Sequence, residues 1–390
     1  MKLISPKYIY YGADSTNEVK NILLNLRSEK VYILCDPILE RLGITKKLKD
    51  ILNSFNVDFI ISTNVTAEPT VEKGNEILKE VRGENIDLII GLGGGSTLDL
   101  AKAAALIAPQ KGGIENYLNL TGDKKLEDKK ITSILMPSTS GTGAEVTDIA
   151  VFSTGQSKDA ITNPLMIANY AIIDPIYSYS LPPKIAAASG IDALTHALEA
   201  YTSIEATPIT DQLSIGAIEK VYNNIREAVW DKNNLQAKNE LSLASLMAGL
   251  SFYNAGVAGV HALAYPLGGK FNIPHGESNA VLLPYVYENI AKSCSKKLST
   301  LASIFKISEK NKNSIEISNE IIVKLFSLVD EVGLPKSLRE YDISEKDIDY
   351  LTQNALKQIR LLNRSPMELK EEVIKEIYLN ALNKKSNILN

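Results

Sequence analysis

Hydrophobic and polar positions follow two different patterns along the chain, and the change occurs near residue 180. Before that point, short apolar runs alternate with segments of helical period. This order is typical of a parallel sheet covered by helices. The predicted strands span residues 31–35, 57–61, 87–90 and 132–136, and predicted helices between them include 44–55 and 70–82.

After residue 180, nearly every segment has the period of a helix. Predicted helices cover residues 184–203, 208–230, 235–252 and 315–332, and the polar run 308–314 is predicted to be a loop. The breaker Leu181-Pro182-Pro183 separates the two patterns. We therefore predict an α/β domain over residues 1–180 and an all-α domain over residues 181–390.

Composition excludes several classes of protein. Hydrophobic residues make up 45% and charged residues 23% of the 390 positions, and the net charge is -4. These values predict a globular protein without the basic surface that nucleic acid requires. The sequence has no long apolar run for a membrane span, and residues 1–6 do not resemble the apolar region of a signal peptide. The two cysteines predict neither a disulfide nor a thiolate metal site. We expect a cytoplasmic protein.

The densest glycine cluster directly follows a predicted strand and opens a helix. Its glycines, Gly93, Gly94 and Gly95, would let backbone amides approach a pyrophosphate, which the helix N-terminus also favours. Ser96 stands where the last glycine of the ordinary dinucleotide fingerprint would be. The alternative is a tight turn with a hydroxyl cap and Asp99 in the favoured first turn of the helix.

A second polar loop, residues 137–147, follows the strand predicted over 132–136. Hydroxyls and glycines at the carboxyl end of a strand lie where α/β sheets bind ligands. The two loops together predict a nucleotide site. The candidate side chains in the second loop are Ser138, Thr139, Thr142 and Thr147.

Asp36 lies just beyond the strand predicted over 31–35. At that edge its carboxylate could bond an adenosine ribose and repel a 2′-phosphate, which would favour NAD over NADP. An acidic turn residue before Pro37 is an equally good interpretation.

All three histidines of the chain fall within 80 residues, and an aspartate precedes the first by one helical turn. One carboxylate and three imidazoles suit zinc or ferrous iron. A single histidine is more often a core or surface residue, but three with an aspartate predict a metal site. The four candidate ligands are Asp192, His196, His261 and His275.

These motifs together resemble the iron-containing, or group III, alcohol dehydrogenases over essentially the whole chain. The resemblance implies a dehydroquinate synthase-like architecture, in which an α/β dinucleotide-binding domain precedes a helical domain for metal and substrate. It implies metal-ligand roles for the four candidates above, with Fe²⁺ as the ion and Zn²⁺ as the alternative. The cofactor residues that it implies or supports are Asp36, Gly93, Gly94, Gly95, Ser96, Asp99, Ser138, Thr139, Thr142, Thr147, Lys158 and Leu181.

Three further residues concern the reaction and the substrate. Tyr265 stands where many family members have another histidine, and we expect it to orient or relay a proton, with pocket packing as the alternative. Phe252 is predicted to line the substrate pocket and to favour small substrates. Arg360 aligns approximately with a family position near the substrate, although a solvent-facing charge is the more frequent role of an arginine.

The resemblance implies a metal-dependent NAD(H) alcohol dehydrogenase or aldehyde reductase that acts on a small primary alcohol or aldehyde. One alternative is a reductase of short aldehydes that carry a carboxylate, sulfonate or phosphonate, and another is a hydroxyacid–oxoacid transhydrogenase. A dehydroquinate synthase-like lyase is a weaker alternative. The partners expected are this small molecule and further copies of the chain, since residues 7–11 could pair across a homodimer edge.

Overall fold

Six parallel strands form the centre of the N-terminal unit in the computed structural model, which describes residues 2–154 and 158–389. This unit comprises Ser5–Ser180. The strands are β1 (Tyr8–Tyr11), β2 (Lys30–Cys35), β3 (Asp58–Ser62), β4 (Leu88–Gly93), β5 (Thr132–Pro137), β6 (Ile149–Ser153), β7 (Lys158–Thr162) and β8 (Tyr170–Ile173). The strand order in the sheet is β1-β8-β5-β4-β2-β3, and β6 and β7 form a separate antiparallel pair.

Strands β2, β4 and β5 are almost completely buried because helices cover both faces of the sheet. One hydrophobic cluster packs under α4 and α5, and another packs under α1 and α3. Thr70 caps α4 by accepting a hydrogen bond from the Lys73 amide at 3.2 Å. The helices of this unit are α1 (Glu18–Leu26), α2 (Pro37–Arg41), α3 (Lys46–Ser54), α4 (Val71–Arg82) and α5 (Gly95–Ile107).

A single hydrophobic core holds the second unit together. It comprises residues 181–389 with residues 2–4, whose Ile4 amide donates to Asn254 Oδ1 at 2.7 Å. The first residues of the chain therefore belong to this unit, whereas the sequence assigned them to the first domain. Its helices are α6 (Pro183–Thr202), α7 (Pro208–Trp230), α8 (Leu235–Ala255), α9 (Gly259–Phe271), α10 (His275–Ser299), α11 (Ser314–Glu331), α12 (Ile348–Leu356), α13 (Ile359–Leu362) and α14 (Glu371–Asn383).

The predicted fold class, an α/β domain followed by a helical one, is confirmed. The four predicted strands correspond to β2, β3, β4 and β5, with ends that differ by up to three residues. The sequence did not predict β6, β7 or β8. These strands are only four or five residues long and give a weak periodic signal.

Both cysteines are free and buried, and burial raises the pKa of each thiol to about 12. Cys35 is the last residue of β2 and acts as a small apolar side chain there. Among the described residues, no single helix is long and apolar enough to cross a membrane. The pair α8 and α9 passes that test only jointly, across a bend of 104°, and contributes many residues to the core.

A fully buried lysine stabilises the α/β unit. Lys102 on α5 has no exposed surface, and its Nζ lies 2.9 Å from Asp99 Oδ1. It also donates to Thr147 Oγ1 at 3.0 Å and to the Ile149 carbonyl. The ammonium group therefore connects α5 to the chain segment that leads into β6.

We expect Lys102→Met to lower the free energy of unfolding by about 3 kcal/mol, because it leaves buried acceptors without their donor. Urea denaturation measures the change. The matched control is Lys46→Met, because the Lys46 side chain is 80% exposed in its pair with Asp50 and should contribute less than about 0.5 kcal/mol. Equal effects of the two substitutions would contradict the assigned role of Lys102.

Candidate functional site

Helix α6 carries a polar face inside the core of the helical unit. Asp192 and His196 lie one turn apart on it and are 2% and 5% exposed. Small residues surround them on the helix, including Ala187, Ala193 and Ala197, all of which are buried. Burial of a carboxylate and an imidazole requires polar partners from other helices.

Helices α9 and α10 supply these partners. His261 is the third residue of α9, and His275 is the first residue of α10. The start of α10 approaches α6 closely because residue 276 is glycine. A Cβ on Gly276 would lie 2.4 Å from the Ala188 carbonyl oxygen of α6, so a larger residue would push the two helices apart.

The four predicted ligands therefore meet at one point, and we call Asp192, His196, His261 and His275 the ligand cluster. Their ligand atoms all lie within 4.8 Å of one another. Asp192 Oδ1 is 3.8 Å from His261 Nε2 and 3.6 Å from His275 Nε2. A tetrahedral zinc site places neighbouring ligand atoms about 3.4 Å apart, so the donor set fits a divalent ion.

The ligand cluster is exposed to solvent on one side, at His275. Three of its residues are buried, whereas 37% of the His275 side chain is exposed. Burial alone would raise the pKa of the Asp192 carboxyl, but the three imidazoles and the Asn279 amide act in the opposite direction, and its pKa lies below the ordinary value. The cluster therefore favours an ionised carboxylate, as a metal ligand requires.

Two residues that the sequence did not identify contact the cluster. Glu199 is 1% exposed, and one of its oxygens lies 2.5 Å from His261 Nδ1. The Asn279 amide donates to Asp192 Oδ1 at 2.7 Å. Helical spacing could have identified both residues in the sequence. Glu199 follows His196 by three residues and Asn279 follows His275 by four, so each lies on the same helix face as a predicted ligand.

Aromatic rings flank the ligand cluster on two sides. The Phe252 ring on α8 stacks on His196 with centroids 4.2 Å apart and an interplanar angle of 18°. The Tyr265 ring on α9 lies 6.2 Å from the His275 ring, at 48°. Both predicted residues therefore lie beside the cluster.

Leu181 and Arg360 are not part of the cluster. Leu181 is half-buried and packs against the hydrophobic core of the helical unit. Arg360 is exposed on the short helix α13, which packs against α9.

In the α/β unit, the glycine cluster forms the predicted strand–turn–helix. Gly93 ends β4, and Gly95 is the first residue of α5. The Ser138 amide donates to the Gly93 carbonyl at 2.9 Å, which brings the second polar loop beside the turn. A Cβ on Gly95 would lie 2.9 Å from Thr142 Cγ2, so the close contact between the loops requires glycine there.

Some of the predicted cofactor residues lie at this edge of the sheet, and the side chains of four others contact other parts of the α/β unit. Gly94 lies close to Thr139, as Gly95 does to Thr142. Asp36 follows β2, where its amide donates to the Leu92 carbonyl at the end of β4. The carboxylate of Asp36 also caps α2 by accepting from the Ile38 amide at 2.7 Å.

Four predicted cofactor residues have side chains that contact other parts of the α/β unit. Ser96 donates to the Ala67 carbonyl, and Lys158 forms an ion pair with Glu68 at 2.8 Å. Asp99 accepts from the Val151 amide at 3.0 Å in addition to its contact with Lys102. Thr147, which is 1% exposed, donates to the Ala144 carbonyl at 3.2 Å.

Glu145 was not identified from the sequence, although it lies in the second polar loop. Its side chain is buried, and no described residue forms a hydrogen bond with its Oε2 atom. Burial raises the pKa of this carboxyl to about 7, against the lowering effects of a backbone hydrogen bond and of Lys102.

Two family models match this chain, and together they cover most of it. Residues 6–175 match the iron-containing alcohol dehydrogenase model. Residues 186–382 match the C-terminal model of the same family.

Relatives with known activities and solved structures resemble the chain over nearly its whole length. Long-chain-alcohol dehydrogenase 1 of Geobacillus thermodenitrificans is 41% identical, over 97% of this chain and 95% of the relative. Sulfoacetaldehyde reductase of Bilophila wadsworthia is 30% identical, over 92% and 93%. The crystal structure of a 1,3-propanediol oxidoreductase superposes with a TM-score of 0.93 at 30% identity, and the match covers 98% of this chain and 99% of that one.

The raised pKa of Glu145 predicts a pH-dependent stability. The folded protein holds the proton more tightly than the unfolded chain, whose glutamate pKa is about 4.5. The resulting stabilisation is complete below pH 4.5 and is lost as the pH rises through 7. Glu145→Gln cannot titrate, so at pH 8 the variant should be more stable than the natural protein by about 3 kcal/mol.

Urea denaturation at pH 5 and pH 8 measures this difference. At pH 5 the difference should fall below about 1 kcal/mol, because the carboxyl group of the folded protein is then protonated. A constant difference at both pH values would contradict the assignment to Glu145.

Proposed function

The chain belongs to the iron-containing alcohol dehydrogenase family, and we propose that it interconverts a small primary alcohol and its aldehyde with NAD(H). The observation that carries this proposal is the meeting of one carboxylate and three imidazoles in a buried cluster with one exposed side. Family membership makes the protein an oxidoreductase of alcohols. The metal, the preferred cofactor and the substrate are the proposed details.

The ligand cluster is the proposed metal site, with Fe²⁺ as the ion and Zn²⁺ as the alternative. A divalent ion there would act as a Lewis acid toward the substrate oxygen. The chain holds the donors rigidly, because α6 spaces two of them by one turn and Asn279 fixes the carboxylate of Asp192. Imidazole and carboxylate suit both metals, so metal analysis has to decide between them.

The proposed NAD site is the edge of the sheet where the glycine turn and the second polar loop meet. Supporting it are the N-terminus of α5, which begins at Gly95, and the hydroxyls of Thr139 and Thr142 beside the glycines. Asp36 follows the neighbouring strand β2, where its negative charge would disfavour a 2′-phosphate. NAD is therefore the proposed cofactor rather than NADP.

A small, neutral substrate is proposed because the Phe252 ring takes up space against His196. The sulfoacetaldehyde reductase similarity supports the alternative of an anionic short aldehyde, for which the exposed Arg360 is the candidate partner. The transhydrogenase alternative, the cytoplasmic location and the homodimer stay predictions.

Anaerobic assays with a panel of aldehydes, NADH and NADPH, together with metal analysis, test the proposed function. We expect bound iron or zinc and faster oxidation of NADH than of NADPH, with short neutral aldehydes as the better substrates. Asp192→Asn should lose the metal and lower kcat/KM by more than about a hundredfold, since it removes the charged donor itself.

Asp330→Asn is the matched control, because Asp330 is 61% exposed in a pair with Lys336 and should change neither metal content nor rate. A preference for aldehydes with a sulfonate or carboxylate would support the alternative substrate class. Full activity without any metal would refute the proposed site.

Tyr265 is proposed to orient or relay the proton, since all three histidines of the chain belong to the proposed metal site. Tyr265→Phe should lower kcat by about a hundredfold, the lower end of the range for assisted proton transfer, and change its pH profile while the KM for NADH stays constant. Tyr285→Phe, which removes a buried hydroxyl from α10, is the control. An unchanged rate and pH profile in the Tyr265 variant would leave this residue a packing role only.

A further inference from the structure

Glu199 forms two hydrogen bonds inside the helical unit, and both connect α6 to α9. Its Oε1 accepts from the Val260 backbone amide at 2.5 Å, and its Oε2 lies 2.5 Å from His261 Nδ1. The glutamate and the histidine are 1% and 2% exposed. A carboxylate can satisfy two N–H donors at once because both of its oxygens accept.

This arrangement determines which nitrogen of His261 carries the proton. The Nδ1–H donates to the carboxylate, so the lone pair stays on Nε2. That Nε2 atom faces the ligand cluster, 3.0 Å from His196 Nε2 and 3.8 Å from Asp192 Oδ1. We propose that Glu199 is a positioning residue that fixes the His261 tautomer and ring so that Nε2 is always available to a metal ion; the inference rests on the proposed metal site.

The second hydrogen bond anchors the helix that carries the ring. Val260 is the second residue of α9, and the residue before the helix, Ala258, has no side chain that could cap it. Glu199 from α6 therefore satisfies one of the free amides at the N-terminus of α9. The positive end of the helix dipole also favours a carboxylate at that place. The Glu199 side chain therefore holds both the first turn of α9 and the imidazole ring of His261, the third residue of that helix.

Charge provides an independent argument. Asp192 and Glu199 are two buried carboxylates on the same face of α6, seven residues apart. Buried carboxylates are costly without a positive partner, and a divalent cation in the ligand cluster would balance both. Glu199 would therefore strengthen metal binding through charge as well as through orientation.

The natural protein itself tests the tautomer. The chain has only three histidines, so labelling with ¹⁵N-histidine gives three imidazole spin systems, which single substitutions assign. We expect the proton of His261 on Nδ1 in both the metal-free and the zinc-loaded protein. A neutral His261 with its proton on Nε2 in the metal-free natural protein would overturn the proposal without any variant.

Glu199→Gln tests the consequence for the metal. An amide has one accepting oxygen, whereas Val260 and His261 are bound by different oxygens of Glu199, so glutamine cannot satisfy both donors in this geometry. If the oxygen keeps the Val260 amide, the NH2 group faces the ring and moves the imidazole proton to Nε2. We expect that tautomer in the spectrum and a metal dissociation constant about 10- to 100-fold weaker, measured by competition with a chelator.

Glu288→Gln is the matched control. Glu288 is a half-buried glutamate on α10 that accepts hydrogen bonds from Ser386 and from the Asn387 amide. The same chemical change there should leave the metal dissociation constant and the His261 tautomer as they are. Circular dichroism verifies that both variants are folded.

The outcomes separate this inference from the proposed function. If the natural protein binds no divalent metal, the proposed metal site is wrong. If it binds the metal and Glu199→Gln binds it equally well with the same tautomer, the role assigned to Glu199 is wrong and the metal site stands.

Discussion

The buried polar face of α6 is the constraint on which the helical unit depends. Asp192, His196 and Glu199 follow one another at helical spacing on a face that is almost completely inaccessible to water. Each of them needs a polar partner at a fixed distance, because an unpaired buried charge costs several kcal/mol. The packing of α9 and α10 against α6 supplies those partners, through ring nitrogens, one backbone amide and the Asn279 side chain.

Much of the fold could be predicted because the signals were local. Strands β2, β4 and β5 are buried on both faces and stand out as continuous apolar runs, and the helix α7 was predicted with its observed ends, Pro208–Trp230. The pair β6 and β7 was not, because strands of only five residues offer too few positions for a period of two to be recognised. The order of strands in the sheet also depends on contacts between distant segments, which no periodic pattern encodes.

The candidate metal site was predictable for a different reason. Only three histidines occur in the chain, so chemistry rather than periodicity identified them. The same reasoning could not find Glu199 or Asn279, because glutamate and asparagine are frequent on exposed helix faces and their residue type carries little information. Only their position distinguishes them, because each lies one helical turn from a histidine and inside the core, in contact with the ligand cluster.

Three of the predicted cofactor residues make contacts within the α/β unit itself. Ser96, Asp99 and Thr147 belong to the segments that predicted nucleotide binding, yet their side chains form hydrogen bonds or an ion pair within the α/β unit. Lys102 connects two of them and is completely buried. An anion-binding turn works through backbone amides whose direction has to be fixed in advance. If the amides had to reorient on binding, the free energy needed for this would weaken the affinity. Side chains that hold those amides in place would therefore contribute to binding at the proposed NAD site through the direction of the backbone.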